Sequence, residues 1–386
     1  MNSTDRIIQT PRTPRTKINS SSAMISPLIK SPKPKSPLLH KNHSSMPDFY
    51  SSLSSPRLIS SPLTKISARK DIPIRPYSKL DFGSITADFY RSPLDWSSKN
   101  CIGLIPIKRP ILFNLDSNSQ IPIFYPFNDC NALKFSNGGD ILTVGTEKGV
   151  LSIINISENK IIETVQHTHF AITSIEQNEN TLITSNQDGS VILYDTRTGD
   201  ESPTILQAFE SYAITTKINP TGRYFIATSE APVVKVFDFR KLEEPYFEYK
   251  DINSTVRAVD WNPIIPNIAA IGGGFEDRKI NIFNIENGQT ICTATTTSQI
   301  CNIFWNKDYN EIVATHGYTD NNITLWRASD LQRISSIKVN HDRVLYAAMS
   351  KDKSRIATIS PKDPMMFWLM FPNSAPKTSI ETKSIR

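Results

Sequence analysis

Val256-Arg257-Ala258-Val259-Asp260-Trp261, Ile268-Ala269-Ala270-Ile271, Gly272-Gly273-Gly274 and Lys279-Ile280-Asn281-Ile282-Phe283 make one unit of a pattern that repeats immediately. The second copy is Ile300-Cys301-Asn302-Ile303-Phe304-Trp305, Glu311-Ile312-Val313-Ala314-Thr315, His316-Gly317-Tyr318 and Asn322-Ile323-Thr324-Leu325-Trp326. Each unit holds three short runs rich in β-branched and aromatic residues, bounded by turn formers. Apolar alternation over so few residues places side chains on opposite faces of an extended chain, which predicts strands and not helices. A unit of about 40 residues is the length of a four-stranded propeller blade.

Working outward, strand-ending aromatic or apolar positions recur at Phe113, Ile154, Tyr194, Phe237, Phe283, Trp326 and Trp368, at intervals of 41, 40, 43, 46, 43 and 42 residues. That regularity predicts an all-β fold, a seven-bladed β-propeller over residues 85–371. Gly139-Asp140, Asp188-Gly189 and Asn287-Gly288 fall where hairpins are needed. A closed ring leaves no long edge strand, and Asp88–Trp96 is expected to complete the last blade. Gly272-Gly273-Gly274 lacks the helix and the Lys-Ser/Thr of a phosphate loop and reads as a tight strand-to-strand connection.

The charge is uneven. Residues 1–80 carry 14 Lys and Arg against 3 Asp, a net +11, so the rest of the +6 chain is −5. With 11 Pro and 17 Ser, this segment cannot bury enough apolar surface to offset chain entropy, and residues 1–84 are expected to be a disordered basic arm. Stacking aromatics are nearly absent there, which argues against nucleic acid. Thr10, Thr13, Ser26, Ser31, Ser36, Ser55 and Ser61 each precede Pro, the minimal site of proline-directed kinases. Each phosphate would add nearly two negative charges and oppose docking on an acidic partner. Residues 372–386 read as a flexible tail.

No constellation of catalysis appears. His167-Thr168-His169 lacks a Cys or carboxylate to complete a metal set and reads as a loop. Cys101, Cys130, Cys292 and Cys301 have no paired spacing and read as buried reduced thiols. Met365, Met366 and Trp368 read as core between blades. No apolar run is long enough for a membrane span, and nothing resembles a signal peptide. The expectation is a non-enzymatic binding protein of the nucleus and cytoplasm, without cofactor, metal, nucleic acid or membrane contact.

Asp88-Phe89-Tyr90 through Leu94-Asp95-Trp96-Ser97-Ser98-Lys99-Asn100 resembles the opening motif of the Fizzy and Fizzy-related proteins, the WD-repeat activators of the anaphase-promoting complex (cyclosome), a ubiquitin ligase. Gly272-Gly273-Gly274-Phe275-Glu276-Asp277-Arg278-Lys279-Ile280, Ser298-Gln299-Ile300-Cys301-Asn302, Thr315-His316-Gly317-Tyr318 and His341-Asp342-Arg343-Val344-Leu345 resemble further motifs of that family, in order. The similarity spans residues 69–386 and ends on the Ile-Arg tail.

The resemblance implies an adaptor that brings degron-bearing substrates such as cyclins to the ligase for ubiquitin-dependent degradation. It implies ligase docking through Ile385 and Arg386 and through an N-terminal box at Asp5, Arg6, Ile7 and Ile8, where Gln9 and Pro11 depart from the family pattern. It implies that Asp95 and Asp363 hold the destruction-box Arg, and that Gln299 and Arg343 hold the K-E-N degron, with Arg343 facing its Glu. Phe275 stands where the family has Thr, and Glu230 and Pro232 where it has an Asn pair. The alternative is a WD-repeat scaffold for a different assembly, without degron recognition.

Overall fold

The computed structural model describes residues 72–197, 203–338 and 341–372. These residues form seven four-stranded antiparallel sheets, one for each predicted repeat. Strands are numbered in chain order. The innermost strands are β2 (Leu94–Trp96), β6 (Cys130–Phe135), β10 (Ile172–Asn178), β14 (Ala213–Ile218), β18 (Val256–Trp261), β22 (Ile300–Asn306) and β26 (Tyr346–Met349). The seven recurring positions all lie in the third strand of a blade: β4 (Ile111–Asn114), β8 (Val150–Asn155), β12 (Ser190–Asp195), β16 (Val234–Asp238), β20 (Lys279–Asn284), β24 (Asn322–Arg327) and β28 (Asp363–Leu369). The third strand is sandwiched within its blade, which is why it demands apolar residues at fixed intervals.

The ring closes differently from expectation. β1 (Ser78–Leu80) pairs antiparallel with β28 and completes the last blade, so the folded body starts upstream of residue 85. Asp88–Trp96 does not: its Leu94–Trp96 portion is the innermost strand of the first blade, paired with β3 (Cys101–Leu104). Burial explains the assignment. Trp96 is buried, whereas Ser78 and Lys79 are exposed, and only an outer strand tolerates such residues.

Adjacent blades interlock tightly. Ala258, Ala270, Ile280 and Ile282 of the fifth blade pack on Ile300, Ile303 and Trp305 of the sixth. A Cβ on Gly272 would lie 2.4 Å from Ile300 Cγ2. The triple glycine is therefore not simply a turn. Gly272 and Gly273 end the strand Ile268–Gly273, and only Gly274 lies beyond it. The first two are demanded by close packing. Conformational freedom is what Gly139 and Gly189 supply, with φ of +79° and +86° at their predicted hairpins. Met365, Met366 and Trp368 are buried between blades. Cys101, Cys130 and Cys301 are buried free thiols, but Cys292 is only half-buried, because it sits on an outer strand.

Five of the innermost strands carry a bulge after their first residue. The bulged residue turns its side chain towards the next blade. Asn131 Nδ2 donates to the Ile172 carbonyl at 2.8 Å, and Thr173 Oγ1 to the Ala213 carbonyl at 2.7 Å. In an antiparallel meander the second-to-third hairpins and the blade-to-blade connectors share one end of the ring, here called the upper face. First-to-second hairpins open on the lower face.

Candidate peptide-binding face

Three upper-face loops converge on one spot. Gln299 lies in the connector between the fifth and sixth blades. Gly317 and Tyr318 form the hairpin after β23 (Glu311–His316), and Arg343 lies in the connector to the seventh blade. The Gly317 N–H donates to the Gln299 carbonyl at 2.9 Å, and the Val344 N–H to the His316 carbonyl at 3.0 Å. A Cβ on Gly317 would stand 2.9 Å from Gln299 Oε1 and 3.5 Å from Arg343 Cδ. The absent side chain is what lets Gln299 and Arg343 flank the same point. The Arg343 guanidinium lies over the Tyr318 ring, 4.9 Å from its centroid, a cation–π contact that holds it against the face. Arg343 Nε is buried with no hydrogen-bond partner.

The loop carrying Arg343 is held from below. Asp363 Oδ2 accepts the His341 N–H at 2.9 Å, and Oδ1 pairs with His341 Nδ1 at 2.6 Å. Burial alone would raise the Asp363 pKa, but these hydrogen bonds outweigh it and hold the carboxyl below its ordinary range. Asp342 Oδ1 then accepts the Arg343 N–H at 2.7 Å. Beneath the hairpin, His316 is buried and bonded through Nε2 to Thr324 Oγ1 at 2.6 Å. Desolvation pushes its pKa down to about 4, so it is neutral at physiological pH.

The structure therefore brings Gln299 and Arg343 together, with Asp363 as support for the loop between them. Asp95 and Asp363 have separate partners. Asp95 lies on β2 facing the central channel, where its carboxylate meets Lys134 Nζ at 3.4 Å and accepts the Phe135 N–H at 2.9 Å. The expected docking residues Asp5, Arg6, Ile7, Ile8, Ile385 and Arg386, and the phosphorylation candidates Thr10, Thr13, Ser26, Ser31, Ser36, Ser55 and Ser61, lie outside the described residues. Among the described residues, no cluster of His, Cys, Asp and Glu could hold a metal ion, and no helix is long and apolar enough to cross a membrane.

Sequence reasoning missed the aromatics. Phe170, Tyr212, Phe275 and Tyr318 are all exposed, and each sits in an upper-face loop. Arg278 stacks on Phe275 at 4.6 Å and donates from Nε to the Phe275 carbonyl at 2.7 Å. An aromatic with Arg three residues later in a turn was the available signal. On the far side of the face, the Tyr90 pKa is raised first by burial and then by the negative charge of Glu230.

A family model described as the CDC20/Fizzy WD40 domain matches residues 80–368. The chain is 28% identical to the WD repeat-containing protein srw1 of Schizosaccharomyces pombe, covering 82% of this chain and 57% of that one. It is 28% identical to the Meiotic fizzy-related protein 1 of the same yeast, covering 80% and 73%. It is 26% identical to the APC/C activator protein CDH1 of Saccharomyces cerevisiae, covering 80% and 54%. The chain thus spans between about half and three quarters of the length of these relatives. Among solved structures, a chain of a mitotic checkpoint complex superposes with a TM-score of 0.74 at 25% identity, covering 84% of this chain and all of that one.

Proposed function

Because the chain belongs to the CDC20/Fizzy family of WD40-domain proteins, we propose that it is a substrate-recruiting activator of the anaphase-promoting complex, an adaptor and not itself an enzyme. The rigid ring presents the upper face to a short peptide. The ends of the chain engage the ligase through Asp5-Arg6-Ile7-Ile8 and Ile385-Arg386, in the nucleus and cytoplasm. Phosphorylation of the basic arm by proline-directed kinases opposes that engagement by reversing its charge.

The observation that carries the peptide-binding reading is the Gln299–Tyr318–Arg343 cluster. A partly buried guanidinium with an unpartnered Nε, fixed on an aromatic ring, is prepared for a carboxylate. Gln299 beside it supplies a neutral amide that can donate and accept. This pair suits the adjacent Glu and Asn of a K-E-N degron. A destruction-box role for Asp95 and Asp363 has less support, because an incoming Arg must compete with Lys134 at one carboxylate and with His341 at the other.

The test is the binding of a fluorescent K-E-N peptide to the full chain. Arg343→Ala should weaken it by about tenfold or more, the worth of one charge-assisted bond, with unfolding unchanged. In parallel, deletion of Ile385-Arg386 should reduce capture of ligase subunits and leave peptide affinity intact. Unaltered peptide binding by Arg343→Ala, with full capture by the tail deletion, would favour a scaffold of another assembly.

A further inference from the structure

The central channel holds a second site, which is independent of the peptide-binding reading. Its upper end is closed. Arg257, the bulged residue of β18, is only 8% exposed and reaches across the axis. It donates to the carbonyls of Cys301 at 2.8 Å, Leu345 at 3.1 Å and Arg91 at 2.9 Å, and to Asn302 Oδ1 at 3.0 Å. Tyr346 Oη donates towards the carbonyls of Thr86 and Asp88, pinning the Asp88–Arg91 segment over the opening. Below this plug lies a cavity of about 510 Å³ that extends to the first-to-second hairpins of the lower face, at Asn137, Pro263, Lys351 and Lys353.

The cavity walls carry ordered charge. Lys134, Glu176, Lys217 and Asp260 each stand four residues after the start of their innermost strand, and Asp95 meets Lys134 from the first blade. The signs alternate around the ring until Phe304 interrupts them. Every carboxylate is engaged. Glu176 pairs with Lys134 at 3.4 Å and Lys217 at 3.3 Å; burial opposes its ionisation, but the two ammonium groups outweigh it and lower its pKa. Asp260 accepts the N–H groups of Trp261 at 3.0 Å and Trp305 at 2.8 Å.

The cations exceed the carboxylates. The lining holds five cationic side chains against three carboxylates, the surplus arising from Arg257, Lys351 and Lys353. No carboxylate touches Arg257, and its Nε is buried without a partner. Lys353 has its pKa pushed down, first by desolvation although much of its surface is open, then by repulsion from Lys217, Lys134 and Lys351 against the attraction of Asp260. Like charges gathered in a walled channel focus a positive potential on its axis. From this geometry we infer that the lower half of the channel binds a small phosphate-bearing anion, entering between the lower-face hairpins and held by Lys351 and Lys353. Its phosphate oxygens take the three-donor ammonium groups that the wall carboxylates leave unneutralised. The bound anion bridges two ammonium groups of one seventh-blade hairpin and stabilises the folded ring by mass action.

The probe is pyrophosphate, titrated by calorimetry into the full chain and followed by thermal unfolding. The expected result is saturable binding to one site with a raised unfolding temperature. Lys351→Gln/Lys353→Gln should weaken it by about tenfold or more, two charge-assisted contacts being removed, and should leave the ligand-free unfolding temperature unchanged or higher. Lys148→Gln, on an exposed hairpin outside the cavity, should leave binding as in the parent chain. The basic arm contributes only a weak component indifferent to both variants. Absence of a saturable component, or one that the Lys351/Lys353 variant binds as tightly as the parent, overturns the assignment.

Discussion

The two ends of the central channel are built from the same seven innermost strands, yet they are chemically opposite. The upper end is sealed by Arg257, Tyr346 and the Asp88–Arg91 segment, and exposed aromatics surround it. The lower end is open and lined by lysines. The strands supply only direction and spacing, so each end takes its character from loops and from single side chains projected at a bulge or a hairpin. The upper end gains a rigid surface because Arg257 and Tyr346 donate to carbonyls of other blades. The lower end keeps unneutralised charge because the side chain that Lys351 Nζ reaches across it, Asn137 Oδ1 at 3.1 Å, is a neutral acceptor.

The contrast is most open to attack at the plug. Arg257→Ala should cost about 4 kcal/mol, since it strands the carbonyls of Arg91, Cys301 and Leu345, and denaturant unfolding measures it. Lys353→Ala at the other end should change stability by about 0.5 kcal/mol or less, as expected of an unpaired charge open to solvent. Similar losses at both ends would abolish the distinction.

The next effect is one of pH. His316 supports the upper-face hairpin in its neutral form. Its folded pKa of about 4 lies below the ordinary 6.5, so the unfolded chain binds the extra proton between these values. Stability should therefore fall as pH drops from 6.5 to about 4, by on the order of 3 kcal/mol, and level off below. Urea unfolding across that range should show the slope in the parent chain, and His316→Gln should lose most of it.

Smaller changes sharpen the picture of the peptide face. Gly317→Ala forces a methyl against Gln299 Oε1 and should cost about 1 kcal/mol in stability while weakening K-E-N peptide binding several-fold. Asp363→Asn should cost somewhat less, about 0.5–1 kcal/mol at pH 7, through the loss of the His341 pairing. Because the Asp363 pKa is lowered from 3.8, its stabilisation is complete above that value and fades as pH falls through the folded pKa. The difference between variant and parent, read by unfolding at pH 7 and pH 3, should shrink accordingly.

Much of the ring was legible in the chain. The recurrence from Phe113 to Trp368 found the third strand of every blade, because those strands are sandwiched and tolerate little polarity. The closing strand was misread, because Ser78-Lys79-Leu80 sits on an outer edge where almost any short extended segment will do. Gln299 and Arg343 were legible through family motifs, and the structure joins them through Gly317. The roles of Tyr318, Phe275 and His341 were not, since exposed aromatics in turns carry no periodicity.

By itself, then, the sequence determined the number of blades, their strand order within each repeat and the hairpin glycines, all of which rest on local spacing and backbone sterics. Only the tertiary structure decided that Arg257 would close the channel, that Asp95 would face Lys134, and that four lysines from distant repeats would line one cavity. Those outcomes depend on bringing innermost strands separated by more than 200 residues around a common axis, a proximity that no local pattern in the chain encodes.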